Sequence, residues 1–499
     1  MPLAQAFRTA VLVSLLLLAT AAAAVAAPAK SQPTLLGCVS GNNRVAAAQG
    51  CATVPGSGGR GDDAGLKGVV ALAGGGTTSS LYAIGSENSA ITQLVAGGSP
   101  GRLRFAACLT GNTFIERSCP AVPGAYANSD QAPIAYPTAA AISPDGRSLY
   151  LVSGSFHGSV IARFSREPLS GALTYVDCLT GDTEPAPTGV LSCTLIPGAT
   201  HGGYGSGMNE PTGVLVSADG RHVYVTTDLD QSLVTFDRDS TGALHFGGCL
   251  STNSKTTRCR HISIGRWGFE GLSEPLLSTD GKFLYAGASR AGTIDTFEIG
   301  PSGTPTFAGC LGGGGEVSRC TFHRGPLNSL QLPTGLTPSP DWHFLYATSG
   351  YGAILTLRRN PSTGALTPLG CISGDRDDRG LCTLTSVTEP NHGFHPTSPL
   401  TGIRRPLVTA NGRRLFAPVR TQDALVEFRR SPKTGALSFQ GCITGSLRTA
   451  KRGVCQPIPG ATKHGDASGF SKLTTLARGP EGLLYAASFA DSTVWVIRP

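Results

Sequence analysis

One short phrase recurs along the chain and limits its fold more than any other feature. Thr241-Gly242-Ala243-Leu244, running on to Gly248-Cys249-Leu250, returns as Thr363-Gly364-Ala365-Leu366 before Gly370-Cys371-Ile372. It returns again as Thr434-Gly435-Ala436-Leu437 before Gly441-Cys442-Ile443. Looser copies end at Cys108, Cys178 and Cys310, and a shortened copy runs from Pro33 to Val39. Successive copies are 70, 70, 71, 61, 61 and 71 residues apart, measured between their cysteines. Repeats of this length stack or close into one array rather than forming separate domains.

One unit reads as four short strands. Residues 211–217 are a short apolar run, and Ala218-Asp219-Gly220-Arg221 is a turn with glycine where positive φ is required. Residues 222–226 form a β-branched and aromatic run, 232–237 a half-buried one, and 243–250 a fourth after the Ser240-Thr241-Gly242 turn. Seven units of four antiparallel strands predict an all-β fold, a seven-bladed β-propeller. The chain ends fit a closed ring. The last unit has three strands, near 473–477, 483–487 and 492–497, while the N-terminus has a lone fourth strand. Strand 33–39 is therefore expected to pair with the C-terminal blade, 472–498, and remove both sheet edges.

Residues 1–27 read as a signal peptide: Arg8, an apolar run over 11–24, and Val25-Ala26-Ala27 as the cleavage site. Residues 28–499 are then one propeller, secreted or held in the cell envelope, with no transmembrane segment after signal cleavage. The 14 cysteines support export, because each repeat holds one pair. The pairs are Cys38 with Cys51, Cys108 with Cys119, Cys178 with Cys193, and Cys249 with Cys259. Cys310 with Cys320, Cys371 with Cys382, and Cys442 with Cys455 complete the set. Recurrence decides this pairing, since each partner returns in the same local segment. No C-x-x-C knuckle occurs, so a metal site is not expected. Net charge is +8, with basic residues paired rather than clustered in sequence, so nucleic acid is not an expected partner.

The phrases Ser143-Pro144-Asp145-Gly146-Arg147-Ser148-Leu149-Tyr150, Val223-Tyr224-Val225-Thr226 and Ser232-Leu233-Val234-Thr235-Phe236 resemble the seven-bladed lactonase-type propeller family. That family has 6-phosphogluconolactonase-like and carboxymuconate-cyclase-like members and related YVTN-type repeats. The resemblance implies a seven-bladed propeller and, in some members, opening or closing of a lactone. Its motifs are turns and core strands, and the seven cysteine loops depart from the cytosolic enzymes.

Variable loops on a rigid scaffold are where function concentrates, which points to the cysteine-loop face around the channel mouth. Seven residues before the turn glycine, or its equivalent, the inner strands read Ala71, Ala139, Gly213, Glu274, Gly335, Arg405 and Thr475. One residue earlier they read Val70, Thr138, Thr212, Ser273, Thr334, Arg404 and Thr474. Glu274, Arg404 and Arg405 break columns of small or hydroxyl residues. The functional reading makes Arg404 and Arg405 an anion clamp and Glu274 an acid/base; the structural reading is an ion pair across a wet channel. His201, His323, His392, His395 and His464 lie in or after cysteine loops, with Glu210 and Glu270 nearby, and His201 is the histidine most eligible to join a catalytic set. The run Gly312 to Gly315 lacks the Lys-Ser/Thr of a phosphate loop. The function expected is ligand or partner binding on the cysteine-loop face, by a monomer with no cofactor. The partner class is a small anion or a protein. The alternative is a lactonase or cyclase acting on a small anionic lactone or carboxylate at the mouth.

Overall fold

The computed structural model describes residues 32–499 apart from 59–64, 75–79, 100, 126–131, 155–158, 185–192, 266, 313–319, 323–329, 331, 380 and 390–397. The signal-peptide reading of residues 1–27 lies outside this range. Seven sheets of mainly antiparallel strands make the blades. Blade 3 shows the pattern, with strands Pro211–Val216, His222–Thr227, Ser232–Arg238 and Leu244–Ser251 in order from the channel outward. Blades 1, 2, 4, 5 and 6 have innermost strands Val69–Gly74, Pro137–Ile142, Leu272–Leu277, Pro333–Pro338 and Leu407–Val408.

Blade 7 is composite. Thr34–Asn42 pairs antiparallel with Thr493–Arg498, with Cys38 opposite Trp495 and Val39 opposite Val494. The ring closes as the split repeat requires. Val39, Val494 and Val496 share one core cluster with Leu66 and Leu81 of blade 1, so the closing strand also packs on the next blade.

The sequence reading of a blade stops at four strands, and six of the seven sheets have five. The extra strand is the second half of the cysteine loop, which turns back and runs parallel to the outermost strand. Examples are Thr194–Thr200, Thr383–Glu389 and Cys455–Thr462. Parallel neighbours need a return connection that a four-strand repeat does not suggest.

Each disulfide spans this return. Cys310 and Cys320 are register partners, as are Cys442 and Cys455. All seven expected disulfides are present. Cys38–Cys51, Cys108–Cys119, Cys178–Cys193 and Cys249–Cys259 close the loops of blades 7, 1, 2 and 3. Cys310–Cys320, Cys371–Cys382 and Cys442–Cys455 close those of blades 4, 5 and 6. Cα–Cα separations run from 4.4 Å at Cys442–Cys455 to 5.2 Å at Cys108–Cys119. The bonds tie each loop to its blade and hold the cysteine-loop face on a covalent frame.

Neighbouring blades are latched at the opposite end. The Tyr150 hydroxyl of blade 2 donates to the Gly242 carbonyl of blade 3 at 2.7 Å and accepts from Arg238 Nε at 2.7 Å. Arg238 also pairs with Asp145 at 2.7 Å. The same donor and acceptor roles recur at Tyr82, Gly171 and Arg166, and at Tyr285, Gly364 and Arg359. The recurring Tyr and Thr-Gly phrases are therefore inter-blade fasteners, satisfying polar groups that burial would otherwise penalise.

Candidate functional site

The channel wall is built from the innermost strands, each of which starts at the cysteine-loop end. The residue before each start, or before the Ile403 bridge in blade 6, has positive φ: Gly68, Tyr136, Glu210, Gly271, Leu332, Gly402 and Lys472. This geometry aims the backbone carbonyl at the chain leaving the second strand. Asp228, Ser289, Gly350, Arg420 and Phe489 donate N–H groups to Glu210, Gly271, Leu332, Gly402 and Lys472. Four side-chain residues hold a conformation that glycine adopts more readily, at a cost of about 1 kcal/mol or more each.

Two residues further in, hydroxyls clasp one blade to the next. Thr138, Thr212, Thr334 and Thr474 donate Oγ1–H to the carbonyls of Pro211, Leu272, Ile403 and Val69, at 2.7, 2.6, 2.6 and 2.9 Å. Arg404 occupies this position in blade 6. The sevenfold repeat thus carries its own control, because six blades close without an arginine there.

Glu274 and Arg405 come together on the wall. Arg405 Nε lies 3.8 Å from Glu274 Oε2, with the side chains 45% and 33% exposed. This is longer than a charge-assisted hydrogen bond. Glu274 Oε2 has no hydrogen-bond partner. Glu274 itself has φ +50, and the pairing of its strand shifts between Ser273 and Leu276. Burial raises the Glu274 carboxyl above its ordinary range, opposed by Arg405, then Arg404 and the Leu336 N–H. Burial lowers Arg404 from its ordinary value, the Arg420 charge lowers it further, and Glu274 partly offsets both. Between blades 4 and 6, Gly335 leaves room: a Cβ there would collide with the Arg405 backbone.

Arg420 is the member that sequence reasoning missed. It follows the second strand of blade 6, and its guanidinium lies 4.9 Å over the Phe489 ring of blade 7. The equivalent positions are Ser86, Asp228, Ser289, Gly350 and Phe489, so aligning the loops as well as the strands would have exposed it.

The other candidates lie elsewhere. His201 is 85% exposed and pairs with Glu184 at 3.2 Å, just beyond the fifth strand of blade 2. Glu270 faces Arg290 at 3.5 Å, and Arg290 reaches Asp228 at 3.2 Å. Glu210 is raised by burial and then by Asp228. His464 is exposed after the fifth strand of blade 6. His323, His392, His395 and Gly313 to Gly315 lie outside the described residues. Among the described residues no group of three or more His, Cys, Asp or Glu could hold a metal ion.

Closed pairing and a charged cluster on the channel wall define the class: a seven-bladed β-propeller with an asymmetric, arginine-bearing channel. No family model matches the sequence, and no curated protein matches it. Among solved structures, a putative 6-phosphogluconolactonase from Bacteroides uniformis is similar at 15% identity, covering 86% of this chain and 90% of that one, with TM-score 0.47. A periplasmic gluconolactonase from Pseudomonas aeruginosa is similar at 15% identity, with the same coverages and TM-score 0.49. Hydrazine synthase from Kuenenia stuttgartiensis is similar at 13% identity, covering 88% of this chain and 97% of that one, with TM-score 0.48. These are likenesses of fold, and the architecture itself rests on the strand pairing above.

Proposed function

We propose that this chain is an exported propeller that captures a small anion at the cysteine-loop end of its channel. Blade 6 carries the reading. It sets Arg404 and Arg405 beside one carboxylate, with Arg420 next to Arg404, and no other blade puts an arginine at any of these positions. Two cations that disfavour each other near low-dielectric walls are relieved by a bound anion. Arg405 supplies planar donors that suit a carboxylate or phosphate, and its 3.8 Å approach to Glu274 leaves them available. Glu274 tunes the site. As its carboxyl protonates, repulsion of the ligand falls, so affinity rises as pH is lowered. Seven disulfides fit an oxidising compartment.

A second reading has one observation in its favour. A carboxyl raised by burial can exchange a proton nearer neutral pH, and arginines beside it can stabilise a developing oxyanion. This is the chemistry a lactonase or cyclase needs.

One experiment addresses both. Sugar acids, aliphatic carboxylates and their lactones are titrated calorimetrically and incubated for turnover with wild type, Arg405→Ala and Glu274→Gln. Arg405→Ala should weaken carboxylate binding by about tenfold to a hundredfold, the loss typical of one charge-assisted contact. Turnover abolished by Glu274→Gln would favour the enzyme. Equal affinities in wild type and Arg405→Ala would remove the site.

A further inference from the structure

One wall of the propeller concentrates positive charge with no acidic residue in its segments. Residues 428–465, the outer part of blade 6, contain seven Lys or Arg and no Asp or Glu. Residues 32–58, the outer part of blade 7, contain Arg44 and no acidic residue. Removing these eight from the chain's 40 basic residues leaves 32, equal to its 32 acidic residues. Of these eight, Arg430 is buried as an inter-blade fastener that donates to the Tyr346 hydroxyl, which leaves seven on the wall. In sequence the two segments stand at opposite ends of the chain. Ring closure makes them neighbours.

The geometry of the wall is extended. Helix Asn43–Gln49 of blade 7 lies against the fifth strand of blade 6, Cys455–Thr462, where Gln49 meets Gly460. Helix Leu447–Ala450 leads into that same strand. Arg44, Arg448, Lys451, Arg452 and Lys463 are exposed or partly so. Lys433 is exposed in the turn at the far end of the blade, before the ten-residue strand Leu437–Ser446. Such a strand spans roughly 30 Å, so the cations form a stripe longer than a small ion can use.

We infer that this wall is a docking surface for an anionic polysaccharide, a linear polymer bearing uronate or sulfate groups. Charge complementarity along a stripe favours a polymer whose negative charges repeat. Two other polyanions fit less well. Among the described residues no Phe, Tyr or Trp on the wall is exposed, and His464 alone is too little of a stacking platform for successive nucleobases. Leu447, 38% exposed, is the one large apolar residue offered to solvent there, too little to anchor in a bilayer interface. The disulfides hold both helices to their strands, so the stripe is preformed.

The test uses the full mature protein with soluble polygalacturonate and immobilised heparin, at low and high salt. Wild type should bind both, and salt should weaken binding. The triple variant Arg448→Glu/Lys451→Glu/Arg452→Glu should lose about tenfold or more in affinity, while an equal reversal elsewhere, Lys255→Glu/Arg258→Glu/Lys282→Glu, should lose under about threefold. Arg44→Glu, on the other blade, should also weaken binding, and it guards against misfolding of the triple variant; circular dichroism checks both. Equal losses in the two triple variants would overturn the inference, as would wall-dependent binding to phosphatidylglycerol vesicles or single-stranded DNA but not to either polysaccharide.

Discussion

A chain lacking residues 32–42 will fail to reach a cooperatively folded state. Removing this segment strips the outer partner from Thr493–Arg498, leaves Cys51 without Cys38, and opens the core around Val39 and Leu66. It also exposes a sheet edge that the closed ring hides. One small-loop disulfide is worth about 3 kcal/mol in the chain-entropy model. With the lost strand pairing and apolar burial added, the deficit should match the whole net stability of a domain, about 5–15 kcal/mol. A rescue distinguishes closure from simple damage. Thr34 lies opposite Arg498, so the two can be joined by the six-residue turn 360–365 that links the third and fourth strands of blade 5. A circular permutant built this way, with new termini between blades 7 and 1, should fold with a denaturation midpoint near that of the parent. Cooperative unfolding of the truncated chain, or failure of the permutant, would count against closure as the source of stability.

Replacing Asp295 by Asn should stabilise the protein, increasingly so as pH rises. Asp295 is fully buried in the third strand of blade 4, opposite Cys310. Its Oδ1 has no hydrogen-bond partner, and Oδ2 accepts only from Thr293 at 3.1 Å. Burial pushes the carboxyl well above its ordinary range, with Thr293 opposing. The sign follows from linkage: a folded acid that holds its proton more tightly than the unfolded one makes folding take up protons. The contribution of Asp295 to stability is fully present below the ordinary carboxylate range and is lost as pH rises toward the folded pKa. Asparagine keeps an acceptor for Thr293 and cannot ionise. At neutral pH the gain should be about 1–3 kcal/mol, the scale of proton linkage for one buried carboxyl. Guanidinium unfolding of both proteins from mildly acidic to mildly alkaline pH measures it. A less stable variant with the same pH slope would refute the account. Other blades put Thr92 and Trp495 at this position, and both donate to backbone carbonyls, of Gly65 and Gly469, at 2.6 and 2.8 Å.

Much of this was legible before any coordinates. The Thr-Gly phrase set the repeat, the split final unit required closure, and the paired cysteines named all seven disulfides, from Cys38–Cys51 to Cys442–Cys455. Glu274, Arg404 and Arg405 stood out because a sevenfold repeat shows which residues a blade needs. Arg420 did not stand out, because it lies in a loop and its relation to Arg404 and Phe489 exists only in space. Nor did the fifth strand, since parallel pairing depends on a return path that leaves no alternation in the sequence.

By itself the chain's order of residues determined local matters: strand and turn periodicity, the partner of each cysteine, and the number of blades. These follow from interactions within one repeat, 61 to 71 residues long between its cysteines. Tertiary structure alone decided which repeats face each other across the channel and which ends of the chain become neighbours. It brought an acid from blade 4 to within 3.8 Å of an arginine from blade 6, and it gathered distant basic segments onto one wall. Coulombic interaction depends on separation in space, which a closed ring makes short between residues far apart along the chain.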